Sequence, residues 1–202
     1  MADELVHVID DDPAVRDSLA FLLETANLRP CVYESALAFL EALPQVKAGC
    51  VVTDVRMPEM TGIELVKRLK AEGFSLPIIM ITGHADVPLA VEAMKAGVAD
   101  FIEKPFDDEA LLSAIQSALQ AGEKDRQGAA EAAEIAARIA TLSGREREVL
   151  QGLVAGRANK VIAYDLGISP RTIEIYRANV MTKMKAASLS ELVRMAMRAE
   201  RV

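Results

Sequence analysis

Short apolar segments alternate with longer segments of helical periodicity over the first 121 residues. Five runs of four to six residues, several of them apolar on both faces, are typical of strands buried in a parallel sheet. These predicted strands cover residues 5–9, 29–33, 50–53, 77–82 and 98–102. The predicted helices that follow them cover residues 13–26, 35–43, 61–72, 87–96 and 107–121. This alternation predicts an α/β domain at residues 1–121 with a doubly wound, five-stranded parallel sheet.

Beyond residue 121 the pattern changes, and no strand-like run follows. Residues 122–141 are polar and then rich in Ala and Glu, which predicts a helical linker that continues the preceding helix. Residues 142–202 contain helical segments at 143–155, 159–166, 170–184 and 188–200. Ser143 and Glu146 have the spacing of a capping box, and Ser169-Pro170 is a typical helix start. An all-α module of four helices is therefore expected at the end of the chain.

The net charge of −7 is unevenly distributed between these two parts. Residues 1–122 carry 20 acidic and 9 basic side chains, whereas residues 123–202 carry 10 acidic and 14 basic ones. Such an asymmetry indicates an acidic domain joined to a module that binds nucleic acid.

The cysteines and the apolar runs indicate the cellular compartment in which the protein is expected. Cys31 and Cys50 lack metal-ligand spacing and are predicted to be small buried side chains of a reducing compartment. The chain begins with acidic residues, and no apolar run approaches the roughly 20 residues that span a bilayer. A cytoplasmic protein without a membrane segment is expected.

Acidic and other polar residues stand where the predicted strands end. These are Asp10-Asp11-Asp12, Asp54, Thr82 and Lys104. In open parallel sheets, functional residues gather at the edge formed by the carboxyl ends of the strands. Carboxylates placed together need a hard cation, and a few oxygen ligands with room for water favour Mg²⁺ over Ca²⁺. A carboxylate nucleophile beside a metal ion, a lysine and a hydroxyl group is suited to phosphoryl transfer.

These motifs resemble the receiver domain of two-component response regulators over residues 4–121. The resemblance is carried by the acidic residues after the first strand, Val52-Thr53-Asp54-Val55-Arg56-Met57-Pro58, Ile81-Thr82-Gly83-His84 and Lys104-Pro105-Phe106. It implies that Asp54 accepts a phosphoryl group from a sensor histidine kinase, and that Lys104 pairs with the phosphate. It also implies a Mg²⁺ site formed by Asp10, Asp11, Asp54 and the backbone carbonyl of Arg56.

The same resemblance implies a switch. Thr82 would move toward the phosphoryl oxygen while the ring of Phe101 swings inward, and the face formed by residues 87–121 would make a homodimer. Asp12 is expected to be a bystander. Arg56 and His84 resemble positions where the family tunes the lifetime of the phosphate, and the Lys104–Pro105 bond is cis in family members.

Residues 159–184 have the pattern of a helix-turn-helix. Small Ala163 lies between Ile162 and Leu166, and Gly167 lies in a three-residue turn, as two closely crossing helices require. The second helix is expected to bury Ile173, Tyr176 or Arg177, Val180 and Met184. Opposite this stripe lie the candidates for base-edge contacts, Arg171, Glu174, Ile175 and Ala178. The candidates for phosphate contacts are Lys160, Thr172, Arg177, Lys183 and Lys185.

The C-terminal module also resembles a known family, the LuxR-type (NarL/FixJ) DNA-binding domains. The resemblance is carried by Leu142-Ser143-Gly144-Arg145-Glu146, Asn159-Lys160-Val161-Ile162-Ala163 and Ser169-Pro170-Arg171-Thr172-Ile173-Glu174. It implies that the second helix of the motif enters the major groove and that dimers bind paired half-sites of promoter DNA. The two resemblances together predict a phosphorylation-activated transcriptional regulator, not an enzyme. Its type is indicated by a finer resemblance to FixJ-type regulators in Ile162-Ala163-Tyr164-Asp165-Leu166 and Arg177-Ala178-Asn179-Val180-Met181. Control of nitrogen-fixation or microaerobic genes is expected, with RNA polymerase as a further partner.

Two rival functions are weighed against this hypothesis. A phosphotransferase of the haloacid dehalogenase type places its nucleophile in an Asp-x-Asp-x-Thr/Val pattern, but here Ala14 follows Asp10-x-Asp12 at the last position. A phosphorylation-switched adaptor would use the basic module to bind a protein instead of DNA. Loss of salt-dependent duplex binding by residues 142–202 would favour the adaptor.

Overall fold

The computed structural model describes residues 4–83 and 87–199. The chain divides between Lys124 and Asp125 into two compact units. His84 lies outside the described residues, so its expected influence on phosphate lifetime stays a prediction.

The first unit is built on a five-stranded parallel sheet. Its strands are β1 (Leu5–Ile9), β2 (Arg29–Tyr33), β3 (Cys50–Asp54), β4 (Ile78–Thr82) and β5 (Asp100–Glu103). Its helices are α1 (Pro13–Thr25), α2 (Ala36–Ala42), α3 (Gly62–Ala71), α4 (Val87–Ala96) and the first part of α5 (Asp108–Ala140). The strand order is β2-β1-β3-β4-β5, and all neighbouring strands are parallel. The prediction of a doubly wound α/β sheet is confirmed.

Two apolar clusters form around the sheet strands. One includes Phe39 of α2 and Leu65 of α3, and the other includes Leu23 of α1 and Ile115 of α5. Successive strand residues point to opposite faces, so a strand that contributes to both clusters is buried on both faces. The central strands β3 and β4 are buried at every position for this reason.

The two cysteines differ in burial because their strands differ. Cys50 lies in the central strand β3, and its burial raises the pKa of the thiol to about 12. Cys31 lies in β2, at the edge of the sheet, and is half-buried. The prediction that both side chains are buried is therefore wrong for Cys31. Both thiols are free.

Side-chain caps hold the starts of α1 and α3 close to the ends of β1 and β3. The Asp12 carboxylate accepts a hydrogen bond from the Ala14 backbone N–H at 2.8 Å, so this expected bystander is the N-cap of α1. Thr61 and Glu64 form a capping box at the start of α3. The loops that carry the acidic residues are thereby fixed at both ends.

Gly62 lies where α3 approaches the end of β3. A Cβ atom at this position would stand 2.2 Å from the Asp54 carbonyl oxygen. We expect Gly62→Ala to lower the free energy of unfolding of the first unit by about 1–3 kcal/mol, because backbone must move to admit the methyl group. Urea denaturation measures the loss. Gly83→Ala is the control, since a Cβ there meets no atom within 4 Å. An equal change in both variants would contradict the prediction.

His7 is a buried imidazole in β1. Its Nε2 lies 3.1 Å from the Ala48 carbonyl oxygen, and its Nδ1 lies 3.2 Å from the Tyr33 hydroxyl oxygen. A neutral ring can satisfy both, donating from Nε2 and accepting at Nδ1. The ring of Phe39 packs edge-on at a centroid distance of 5.9 Å. Burial lowers the pKa of His7, and the hydrogen bond to Ala48 opposes that shift only in part.

This lowered pKa predicts a loss of stability in mild acid. The unfolded chain takes up the proton near pH 6.5, before the folded protein does, so stability present above pH 6.5 is lost as the pH falls through the folded-state pKa. The slope from one group is at most about 1.4 kcal/mol per pH unit. Urea midpoints at neutral and mildly acidic pH should fall less in His7→Gln than in the unsubstituted protein. Identical pH dependence in the two proteins would contradict the assignment.

The second unit consists of helices. They are the C-terminal part of α5, α6 (Gly144–Val154), α7 (Asn159–Leu166), α8 (Pro170–Met184) and α9 (Leu189–Ala199). The predicted capping box of Ser143 and Glu146 starts α6, and the predicted Ser169 cap and Pro170 start α8. No helix of the described residues is both long and apolar enough to cross a membrane.

Helix α5 contributes to the core of the second unit. It runs without interruption from Asp108 to Ala140, so the polar residues after the predicted helix 107–121 do not break it. Ile135 of α5 is buried with Leu150, Ile173 and the other core residues of α6, α7, α8 and α9, and Ala132 of α5 is also buried. The segment 122–141 was expected to act as a linker, but its C-terminal half also closes the apolar core of the helical unit.

Candidate functional site

Asp10, Asp54 and Lys104 meet at the carboxyl edge of the sheet, where the parallel strands end. Strands β1 and β3 are adjacent and parallel, so the residues at their carboxyl ends lie side by side. Lys104 follows β5, and its Nζ donates to Asp10 Oδ2 at 3.1 Å and to Asp54 Oδ1 at 2.9 Å. Three of the predicted site residues therefore form one ion-pair cluster.

Burial and neighbouring polar groups shift the pKa values of this cluster in opposite directions. Asp10 is 2% exposed, and this burial raises the pKa of its carboxyl group. Hydrogen bonds from the Asp12 backbone N–H and from Lys104 oppose the rise in pKa. Burial of Lys104 would lower the pKa of its ammonium, but hydrogen bonds to Asp54 and Asp10 outweigh burial and leave that pKa raised. A further positive charge at Asp10 would lower the energy of the ionised carboxylate.

Backbone N–H groups hold the two carboxylates, and an arginine holds the backbone of Asp10. The second oxygen of Asp54, Oδ2, accepts from the Arg56 backbone N–H at 2.6 Å. Arg16 Nη1 donates to the Asp10 backbone carbonyl oxygen at 2.7 Å. Arg16 was missed in the sequence, where one basic residue early in a helix carries no distinguishing signal. Asp54 is thus held by Lys104 on one oxygen and by the backbone on the other.

The acidic residues do not all converge. Asp11, a predicted metal ligand, is exposed, whereas Asp10 and Asp54 are buried. Among residues 4–83 and 87–199, no three His, Cys, Asp or Glu side chains are grouped as a metal site. The ammonium of Lys104 bridges Asp10 and Asp54 instead.

Thr82 and Phe101 lie on the neighbouring strands β4 and β5. Thr82 ends β4, which pairs with β3, and it is 1% exposed. Phe101 pairs in register with Met80 of β4 and is half-buried against the apolar cluster that contains Met80. The Lys104–Pro105 peptide bond is cis. The predicted switch pair is therefore near the carboxyl edge of the sheet, with the aromatic ring packed on the core.

A helix-turn-helix is formed by α7 and α8 in the second unit. Gly167 ends α7 with φ of 65°, a left-handed conformation that favours glycine, and Ser169 caps α8. Ile162 packs so closely against α6 that a Cβ at Gly152 would lie 2.8 Å from its Cδ1. This contact holds α7 against α6, and one face of α8, called the open face, is exposed.

The open face of α8 carries the predicted base-contacting residues. Arg171, Glu174, Ile175 and Ala178 are exposed, while Ile173, Val180 and Met184 are buried on the opposite side. Thr172 is half-buried, and its hydroxyl lies 2.8 Å from the Ser169 hydroxyl. Arg177 is also half-buried, and Lys160 and Lys185 are exposed.

Two further polar residues extend the open face of α8. Asn179 and Thr182 are exposed, and helical spacing puts them on the side that carries Ile175. Sequence reasoning missed both, although counting four and seven residues on from Ile175 would have included them.

Comparison with known proteins agrees with the structures of both units. The model of the "Response regulator receiver domain" matches residues 6–116, and that of "Bacterial regulatory proteins, luxR family" matches residues 140–196. The transcriptional regulatory protein FixJ of Azorhizobium caulinodans is 62% identical over 195 residues, with 96% of this chain and 92% of that protein covered. FixJ of Bradyrhizobium diazoefficiens is 59% identical over 194 residues, covering 96% and 95%. The chain belongs to the FixJ-type response regulators.

Solved structures support the same assignment for this regulator. The crystal structure of full-length FixJ from B. japonicum is 57% identical, covers 100% of both chains and gives a TM-score of 0.62. The regulator is thus a phosphorylation-activated, DNA-binding transcriptional regulator of a two-component system.

Lys183 differs from the other predicted phosphate contacts of this regulator. Its Nζ donates to Glu146 Oε2 at 2.6 Å, and Glu146 is buried within the helical unit. This hydrogen bond is the first cause of the lowered pKa of Glu146. The Lys183 side chain is still 40% exposed, so this ion pair does not exclude DNA, and the phosphate contact of Lys183 stays a prediction.

Proposed function

We propose that Asp54 is the phosphoacceptor and that a sensor histidine kinase supplies the phosphoryl group. An Asp54 carboxylate oxygen would form the new P–O bond as the P–N bond of the kinase phosphohistidine breaks, and the imidazole would leave as the neutral ring after protonation. The observation that carries this proposal is the cluster in which Asp54 is held between Lys104 and the Arg56 backbone N–H. Lys104 would then pair with the phosphoryl oxygens.

We propose that Mg²⁺ assists at this edge, held by Asp10, Asp11, Asp54 and the backbone carbonyl of Arg56. The donor chemistry fits, because all four groups offer the oxygen ligands that Mg²⁺ takes in proteins, with waters completing its coordination. The burial of the two carboxylates of Asp10 and Asp54 at one place also favours a cation there. When bound, Mg²⁺ would neutralise charge on the transferring phosphoryl group. Lys104 supplies part of that charge from the chain itself.

The phosphoryl group is proposed to act through Thr82 and Phe101. Its oxygens would accept a hydrogen bond from the Thr82 hydroxyl, and Phe101 would follow into the space that the hydroxyl leaves. The face of residues 87–121 would then make a homodimer. Val87, Val91 and Met94 of α4 support this step, because these apolar side chains are exposed.

The dimer is proposed to bind promoter DNA through α8, with Arg171, Glu174, Ile175 and Ala178 at base edges. Lys160, Thr172, Arg177, Lys183 and Lys185 would contact phosphates. The working division of the chain is a receiver at residues 1–121, a helical linker at 122–141 and a DNA-binding module at 142–202. We place the regulator in the cytoplasm, with RNA polymerase as a further partner and nitrogen-fixation or microaerobic genes as targets.

A labelling experiment tests the first step. The full chain is incubated with a labelled small-molecule phosphodonor and Mg²⁺, and the labelled peptide is then mapped. We expect one label on the peptide that contains Asp54 and loss of labelling in the presence of EDTA. Labelling at another residue would refute the assignment of Asp54, and full labelling in EDTA would refute the role of Mg²⁺.

A further inference from the structure

The C-terminal end of α8 is tied to the end of α5 and the start of α6 by two cationic side chains. Arg138 of α5 donates from Nη1 to the Met184 backbone carbonyl at 3.1 Å. In the opposite direction, Lys183 of α8 donates from Nζ to the Thr141 carbonyl at 3.4 Å and to Glu146 Oε2 at 2.6 Å. Helix α5 thus contributes a cation to the end of α8, and α8 contributes a cation to the segment between α5 and α6.

Arg138 completes the hydrogen bonding of the helix end. The last carbonyls of a helix lack partners within it. The Lys185 backbone N–H serves the Met181 and Thr182 carbonyls, and the left-handed φ of 56° at Lys185 then turns the chain. The Met184 carbonyl follows these, and the Arg138 guanidinium binds it. A positive charge at this end is also favoured by the helix dipole.

The second tie is built around the buried Glu146 carboxylate. Glu146 is 4% exposed, and besides Lys183 it accepts from the Ser143 backbone N–H at 2.7 Å. Its capping-box contacts belong to α6, so Lys183 joins α8 to the start of α6. Removing the ammonium would leave this carboxylate without its cationic partner.

We propose that Arg138 is a positioning residue that sets the orientation of α8 for reading DNA, acting with the Lys183–Glu146 pair. This inference rests on the proposed DNA-reading role of α8. The ties are at the C-terminal end of a helix of 15 residues, whereas Arg171 lies at the other end. At 1.5 Å per residue the helix is about 22 Å long, so a tilt of about 5° at the tied end moves Arg171 by about 2 Å. Such a displacement disrupts bidentate base contacts more than contacts with phosphates.

Three full-length variants test the role of Arg138. Arg138→Met keeps the aliphatic stem and removes the donors, Arg138→Lys keeps the positive charge and a donor, and Arg145→Met is the control. Arg145 pairs with Glu148 on the exposed surface of α6. The probe is a duplex selected from a random pool by the unsubstituted regulator, compared with an unselected duplex of equal length.

We expect Arg138→Met to lower affinity for the selected duplex about tenfold and for the unselected duplex less than about twofold, with phosphoryl uptake and helical circular dichroism unchanged. Arg138→Lys should recover most of the selectivity, and Arg145→Met should retain it all. Equal loss on both duplexes, or selectivity like that of Arg145→Met, would overturn the positioning role. If the unsubstituted regulator selects no duplex at all, the DNA-reading role of α8 fails and this inference fails with it.

Discussion

Asp54→Asn is expected to reduce phosphoryl uptake from a small-molecule phosphodonor to background and to abolish any stimulation of DNA binding by that donor. The amide has nearly the size of the carboxylate, so the fold is expected to survive. It lacks the anionic oxygen that must attack phosphorus, and it no longer pairs with the Lys104 ammonium, which lies 2.9 Å from Asp54 Oδ1. Intact-protein mass spectrometry with Mg²⁺ and donor measures the uptake.

The control for this variant is Asp17→Asn, which removes a carboxylate from the exposed surface of α1. It should take up the phosphoryl group as the unsubstituted regulator does. If Asp54→Asn retains uptake at the original rate, another residue is the phosphoacceptor and the cluster with Lys104 has a structural role. If it loses helical circular dichroism as well as uptake, the carboxylate is needed for folding, and the assignment loses its support.

Arg171→Ala is expected to weaken binding to a selected DNA duplex by about 1–3 kcal/mol, which is roughly 5- to 150-fold, and to relax base preference at one position of each half-site. Arg171 is exposed in the first turn of α8, and a guanidinium can bind guanine O6 and N7 together. Phosphoryl uptake should not change, since Asp54 lies in the other unit. Titrations with the selected duplex and with single-base variants of it measure both effects.

Lys160→Ala gives the matching comparison. Lys160 is exposed at the start of α7, where we propose a phosphate contact. Its loss should weaken binding to all duplexes alike. It should also reduce the slope of log affinity against log salt concentration by about one, as expected for one lost phosphate contact. If Arg171→Ala also weakens binding to all duplexes equally, Arg171 contacts the DNA backbone. The proposed base contacts of the open face of α8 then need revision.

The sequence predicts the receiver sheet and its acidic edge well because both depend on local order. Buried parallel strands need apolar residues on both faces, so runs such as residues 50–53 stand out. Parallel strands also end at the same edge, and this rule alone brings Asp10 and Asp54 together. The half-buried state of Cys31 was missed, because sequence does not reveal which strand lies at the edge of the sheet.

Contacts between distant segments were beyond prediction. Arg138 and Met184 are 46 positions apart, and Lys183 and Glu146 are 37 apart, with no periodicity that connects them. Lys183 therefore resembled any basic residue on a DNA-binding helix until its partner was visible. The sequence did predict that the helix continues into residues 122–141, and α5 does run through residue 128, but the packing of Ile135 in the helical unit was not apparent.

Footprinting on promoter DNA, with and without a small-molecule phosphodonor and Mg²⁺, tests the central claim of phosphorylation-gated DNA binding most directly. The account predicts protection of paired half-sites at a lower regulator concentration when the donor is present, and no such shift for Asp54→Asn. Equal protection with and without the donor, under conditions in which mass spectrometry detects phosphorylated Asp54, would contradict it.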